Sequence, residues 1–80
     1  MVKYNNAFES LTANGVVPSN CNEIIFIRHG SGLVTINGFP LRFDGDFWAN
    51  DGNQNELDTT TYNVQITGGS VCWIMRKYYQ

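Results

Sequence analysis

From Cys21 onward, apolar and polar residues alternate with a period of two, broken at short intervals by glycine-bearing turns. A strand sends successive side chains to opposite faces, whereas a helix with one buried face spaces its apolar residues three to four apart. The alternation therefore predicts strands and leaves no helical body. "NEIIFIR" sets four apolar residues in succession, Ile24 to Ile27, which suits a short strand covered on both faces. "HGSG" follows as a hairpin-type break. "LVTING" puts Val34 and Ile36 on one face and Thr35 and Asn37 on the other, and "NGF" supplies a second turn signal. In "FPLRF", Phe39, Leu41 and Phe43 share a face opposite Pro40 and Arg42. Pro40 has no N–H for a ladder, so this strand belongs at an edge or beside a bulge.

Asp44 to Asp46 read as a turn, and a short aromatic strand through Phe47 and Trp48 follows. After the polar segment Asp51 to Asp58, "TTTYNVQITGG" alternates again, with Tyr62, Val64 and Ile66 inward and Asn63, Gln65 and Thr67 outward. Gly68 and Gly69 turn the chain into "SVCWIMRKYY", the last strand. Six short strands with turn signals between them predict an all-β fold, a small antiparallel β-sandwich or jelly-roll-like barrel, over residues 21–80. Residues 1–20 lack the alternation. Asn14-Gly15 marks a turn within them, and a helical turn near Ala7 to Leu11 is too short to stand alone. They read as an N-terminal arm that adds a strand to the sheet or docks on a neighbour.

Eighty residues allow one domain. Scaling rules give a folded surface of roughly 4,900 Å² and an extended surface of roughly 13,000 Å². Burying the apolar part of that difference stabilises by about 120 kcal/mol. Ordering the chain costs about the same. Such a domain is marginal alone and gains from association. A net charge of -2 supplies no basic field for nucleic acid, and no apolar run is long enough for a membrane span. Synthesis in the cytoplasm and a soluble product are the expectation, with Cys21 and Cys72 as reduced, buried thiols.

"DGNQNELD", Asp51 to Asp58, alternates acids and amides as calcium loops do. Asp51, Asn53 and Asn55 match the first three ligand positions, but Glu56 stands where the loop needs glycine and Tyr62 where it needs the closing glutamate. An irregular site from Asp51, Asn55, Glu56 and Asp58 is weaker than a solvated loop whose side chains bond their own backbone. The expectation is no metal and no cofactor. His29 is the only histidine. With Ser31 and Ser70 in glycine-rich turns it reads as a surface residue at a strand end, not a catalytic base. Asp44 and Asp46 read as a tight turn instead of a glycosidase pair. No catalytic set is expected. Trp73 shares a strand face with Val71 and Met75, which favours the core; of Phe47 and Trp48, one must point outward. Arg76 and Lys77 read as guards on an exposed terminal strand.

The succession "EIIFIRHGSGLVTINGFPLRFDGDFWAN", "ELDTTTYNVQI" and "CWIMRKYY" resembles small β-sandwich virion proteins of tailed bacteriophages. The likeness runs from Glu23 to Tyr79 and rests on turn and strand pattern, with "DGDFWANDG" richer in acid and aromatic residues than that pattern. It implies a non-enzymatic capsid decoration, head-fibre or tail-associated subunit, made in a host cytoplasm and carried in the virion. Its expected partners are other virion proteins and further copies of itself, with neither nucleic acid nor membrane. The residues expected to meet them are Tyr4, Phe8, Leu11, Val16 and Val17 of the arm, Pro40 on the edge strand, Trp48, and Tyr78 and Tyr79 at the end. The alternative is a carbohydrate-binding module with Trp48 as aromatic platform and the acidic loop as a further ligand.

Overall fold

The computed structural model describes residues 4–50, 52 and 55–79. Eight strands run in chain order: β1 (Tyr4–Leu11), β2 (Gly15–Pro18), β3 (Glu23–His29), β4 (Val34–Ile36), β5 (Phe39–Leu41), β6 (Phe47–Asn50), β7 (Thr61–Ile66) and β8 (Val71–Tyr79). They form two four-stranded antiparallel sheets, β1-β8-β3-β6 and β2-β7-β4-β5. We refer to these as the first and the second sheet. The molecule is an all-β sandwich, with no helix among the described residues.

The strand order follows from one long hairpin rolled onto itself. Its tip is the two-residue turn at Asn37-Gly38, where both residues take positive φ, 49° and 84°. That is the turn whose twist matches antiparallel strands, and asparagine followed by glycine is its preferred sequence. Outward from the tip β4 pairs with β5, β3 with β6, β2 with β7 and β1 with β8. Rolling adds the lateral pairings β3·β8 and β4·β7 and divides the ribbon between two sheets. This is the eight-stranded jelly-roll order, two Greek keys closed over one core.

The "HGSG" break is consequently not a hairpin. It carries the chain from β3 in the first sheet to β4 in the second. The crossing is tight: a Cβ on Gly32 would land on the Thr67 carbonyl oxygen, and one on Gly30 would press on Gly69. The first twenty residues give one strand to each sheet. β1 pairs with β8 along its whole length, and β2 edges the second sheet. The expected terminal strand is thus an interior one, with β1 on one side and β3 on the other.

Between the sheets lie Ile24, Phe26, Cys72 and Ile74 from the first, and Val17, Val34, Ile36, Leu41, Tyr62 and Val64 from the second. Cys21 joins them from the β2–β3 connection. Phe26 meets the Tyr62 ring edge-on at 5.1 Å, and Trp48 leans on both rings from the open side. Arg76 is on the inner face of β8, where its guanidinium donates to the Pro18 carbonyl and pairs with Glu9, tying β2 to the first sheet. The inward set Tyr62, Val64 and Ile66 is as the alternation predicts, and so is β5 at an edge with Pro40. Phe39 and Phe43 differ from expectation. Only Leu41 of that trio is buried, because β5 ends there and the other two stand at the open rim.

Candidate functional site

The outward residues of the two sheets differ in character. On the second sheet the register places Asn63 beside Val16, Thr61 beside Pro18, and Thr35 between Gln65 and Pro40, a surface dominated by amides and hydroxyls. On the first sheet two apolar rows cross all four strands. One runs Ser10, Trp73, Ile27, Phe47; the next runs Phe8, Met75, Ile25, Ala49. Phe8, Phe47, Trp73 and Ile27 are 73%, 65%, 51% and 39% exposed. From the area of such side chains, these four present on the order of 450 Å² of open apolar surface. That lies within the range of the largest patch on a monomer, which is often functional.

Charge borders this face at both ends. Beyond the second row lie Asn6, Lys77 and Glu23, with Lys77 Nζ 3.5 Å from the Glu23 carboxylate. The Tyr79 hydroxyl bonds the other Glu23 oxygen at 3.2 Å. Beyond the first row, His29 stands beside Val71, and its Nδ1 lies 3.0 Å from Asp44. The same Asp44 oxygen accepts the Gly30 N–H. His29 is thus at a strand end as expected, with a carboxylate on one ring nitrogen. Ser31 gives its hydroxyl to the Gly68 carbonyl, and the Ser70 hydroxyl is buried without a partner. Asp46 closes its own turn by accepting the Arg42 and Phe43 N–H groups.

Trp73 therefore corrects the expectation of a core residue. The inner parity of β8 is Cys72, Ile74, Arg76, and Trp73 falls on the other. Of the Phe47 and Trp48 pair, Phe47 points outward and Trp48 packs against the core. Among the anticipated interface residues, Phe8 and Val16 are exposed, on opposite sheets. Val17 is instead core, because β2 turns it toward Tyr62. Leu11 and Tyr78 pack half-buried against the core, and Pro40 and Tyr79 are half-buried near edges or ends. Tyr4 pairs with Tyr79 along the backbone, and its side chain lies outside the description.

Of the acidic loop, Asp51 and Asn53 fall outside the described residues. Asp58 has a structural duty. One carboxylate oxygen accepts from the Tyr62 hydroxyl at 2.7 Å and the Asn50 amide at 3.0 Å; the other accepts the Thr60 N–H at 3.0 Å. Burial alone would raise its pKa, but these donors prevail and hold the carboxyl well below its ordinary value. Burial, then the bond to Asp58, pushes the Tyr62 phenol up to about 12. Among the described residues no three acidic, histidine or cysteine side chains gather as a metal site. The cysteines are free and buried, and burial lifts Cys72 to about 11.

Fold and surface together define an eight-stranded jelly-roll sandwich with one polar and one apolar outer face. No family model matches the chain, and neither a curated protein nor a solved structure matches it.

Proposed function

We propose that this chain is a non-enzymatic structural or accessory subunit of a virion, of the capsid decoration or tail and fibre type, that works by protein–protein attachment. The observation that carries the reading is the pair of apolar rows across the first sheet. A sheet face left to water alternates toward polar residues, as the second sheet does, and an apolar one is stabilised by covering it. The jelly roll is a recurrent architecture of capsid proteins, which supports the reading without deciding it. Mass spectrometry of purified particles, with and without the Trp73→Ser substitution, is the test. The native chain is expected in stoichiometric amounts and the variant depleted at least tenfold. A native chain absent from particles removes the proposal.

A carbohydrate-binding reading is second, favoured by the half-open Trp73 ring in one row with Ile27 and Phe47 rather than by Trp48, which leans on the core. Glycans that quench tryptophan fluorescence in the native chain but not in Trp73→Ser would select it.

A further inference from the structure

We infer that the apolar face of the first sheet is closed by a second copy of this chain, packed face to face about a two-fold axis. The inference rests on the reading of that face as an attachment surface and names its occupant.

Three observations point to a second copy. The first is the pattern of large and small residues. On β1 the large Phe8 precedes the small Ser10, and on β6 the large Phe47 precedes the small Ala49. The two strands run in opposite directions across the sheet, so the register puts Phe8 in one row and Phe47 in the other. A two-fold axis in the plane of the interface, across the strands and midway between the rows, exchanges the rows and keeps each strand over its own copy. Phe8 then falls on Ser10, Phe47 on Ala49, Trp73 on Met75 and Ile27 on Ile25. Every bulky ring meets a small or flexible residue, as an interdigitated sheet packing about 10 Å thick requires. An isologous interface needs this reciprocity, in which one residue meets another and is met by it in turn.

The second is charge. The same rotation lays the Lys77–Glu23 end of one copy over the His29–Val71 end of the other. Glu23 then faces His29, and the methylene stem of Lys77 covers Val71. His29 then lies between two carboxylates, Asp44 of its own copy and Glu23 of the other.

The third is area. Each copy offers roughly 450 Å² from the four most exposed side chains, and the half-buried Ile25, Met75, Ala49 and their neighbours bring the pair to about 1,200 Å² in total. That is the lower limit for a specific interface and fits a reversible dimer forming at micromolar concentration. The run Ile24 to Ile27 is apolar on both parities, the pattern of a strand covered on two sides, yet one chain covers only one of them.

Sedimentation velocity of the whole chain from about 1 to 300 µM tests the proposal. The native chain is expected to pass from 9.0 kDa to twice that mass. Trp73→Ser is expected to stay monomeric over the range with an unaltered thermal melt. Ala49→Phe, which sets ring against ring, is expected to weaken the dimer at least tenfold, and Phe47→Ala with Ala49→Phe to recover it, since the two-fold exchanges those positions. A native chain monomeric throughout, a Trp73→Ser variant that still dimerises, or a double variant no better than Ala49→Phe overturns the proposal. A monomer that binds particles through Trp73 refutes the dimer and leaves attachment standing. A dimer absent from particles does the reverse.

Discussion

Asp58 ties the two sheets together at one end of the sandwich, and its removal is a quantitative test of the fold. It bridges back to Cys21, takes the Asn50 amide from the end of β6 in the first sheet, and takes the Tyr62 hydroxyl from β7 in the second. Asp58→Ala deletes three hydrogen bonds to a carboxylate and leaves a buried phenol unpaired. Charge-assisted bonds contribute about 1.5–3 kcal/mol each, but water replaces part of this at a half-buried site, so about 1 kcal/mol apiece is appropriate. The expected loss is about 3 kcal/mol, from a total of roughly 4–12 kcal/mol for a domain of this size. This corresponds to a melting point lower by about 15 °C. It also lowers the urea midpoint by about 2–3 M, at about 1 kcal/mol per M. Tryptophan fluorescence serves as probe. The pH dependence has a definite sign. The folded carboxyl lies below its unfolded value, so the unfolded chain binds more protons and stability rises with pH in that window. The contribution is complete above the unfolded pKa near 4 and is lost as pH falls through the folded one. The gap between native chain and variant must therefore narrow below about pH 5. Equal urea midpoints at pH 7, or a gap unchanged at pH 2, would refute the assignment.

Tyr62 gives a companion result at the alkaline end. Its folded pKa is raised to about 12, so its contribution is complete below the unfolded value near 10 and lost as pH rises through 12; ultraviolet titration should show one phenol ionising about 2 units late, and Asp58→Ala should bring it earlier. Cys21 and Cys72 should resist a thiol reagent at pH 8 in the folded chain and both react in denaturant, because both are buried and Cys72 ionises only near 11; rapid labelling of Cys72 in the native chain would contradict its placement. Gly32→Ala should cost about 3 kcal/mol or more, since the new methyl collides with backbone at the crossing, whereas Gly38→Ala meets no atom and costs about 1 kcal/mol for its positive φ. Similar melting points for the two variants would argue against that crossing.

Strand content was legible because the period of two is a local property of the backbone. Tyr62, Val64, Val34 and Ile36 announced their side correctly, and Asn37-Gly38 announced its turn. The partners of each strand were not legible. Glycine pairs look alike whether they close a hairpin or carry a chain from sheet to sheet, and Gly30 and Gly32 do the second. β1 also escaped. Its sequence, "YNNAFESL", alternates poorly because its inner side holds Glu9, whose partner Arg76 stands almost seventy positions away on β8. An ion pair between strands so far apart in the chain is invisible without the register that joins them.

Trp73 shows why the same register decides the functional surface. In β8 both parities are apolar from Val71 to Met75, so neither is marked as inner by its own sequence. Assigning the larger residue to the core is reasonable for one strand taken alone. The choice reverses once β3 and β1 are aligned on either side. Cys72 and Ile74 then fall beside Arg28 and Phe26, which are buried, and Trp73 falls between Ser10 and Ile27. An apolar residue on the wet parity of one strand is ordinary. Eight neighbouring positions across four strands, with Ser10 as the one polar member, form a surface that water does not account for. The apolar face is thus a property of the register, and strand-by-strand alternation could not have displayed it.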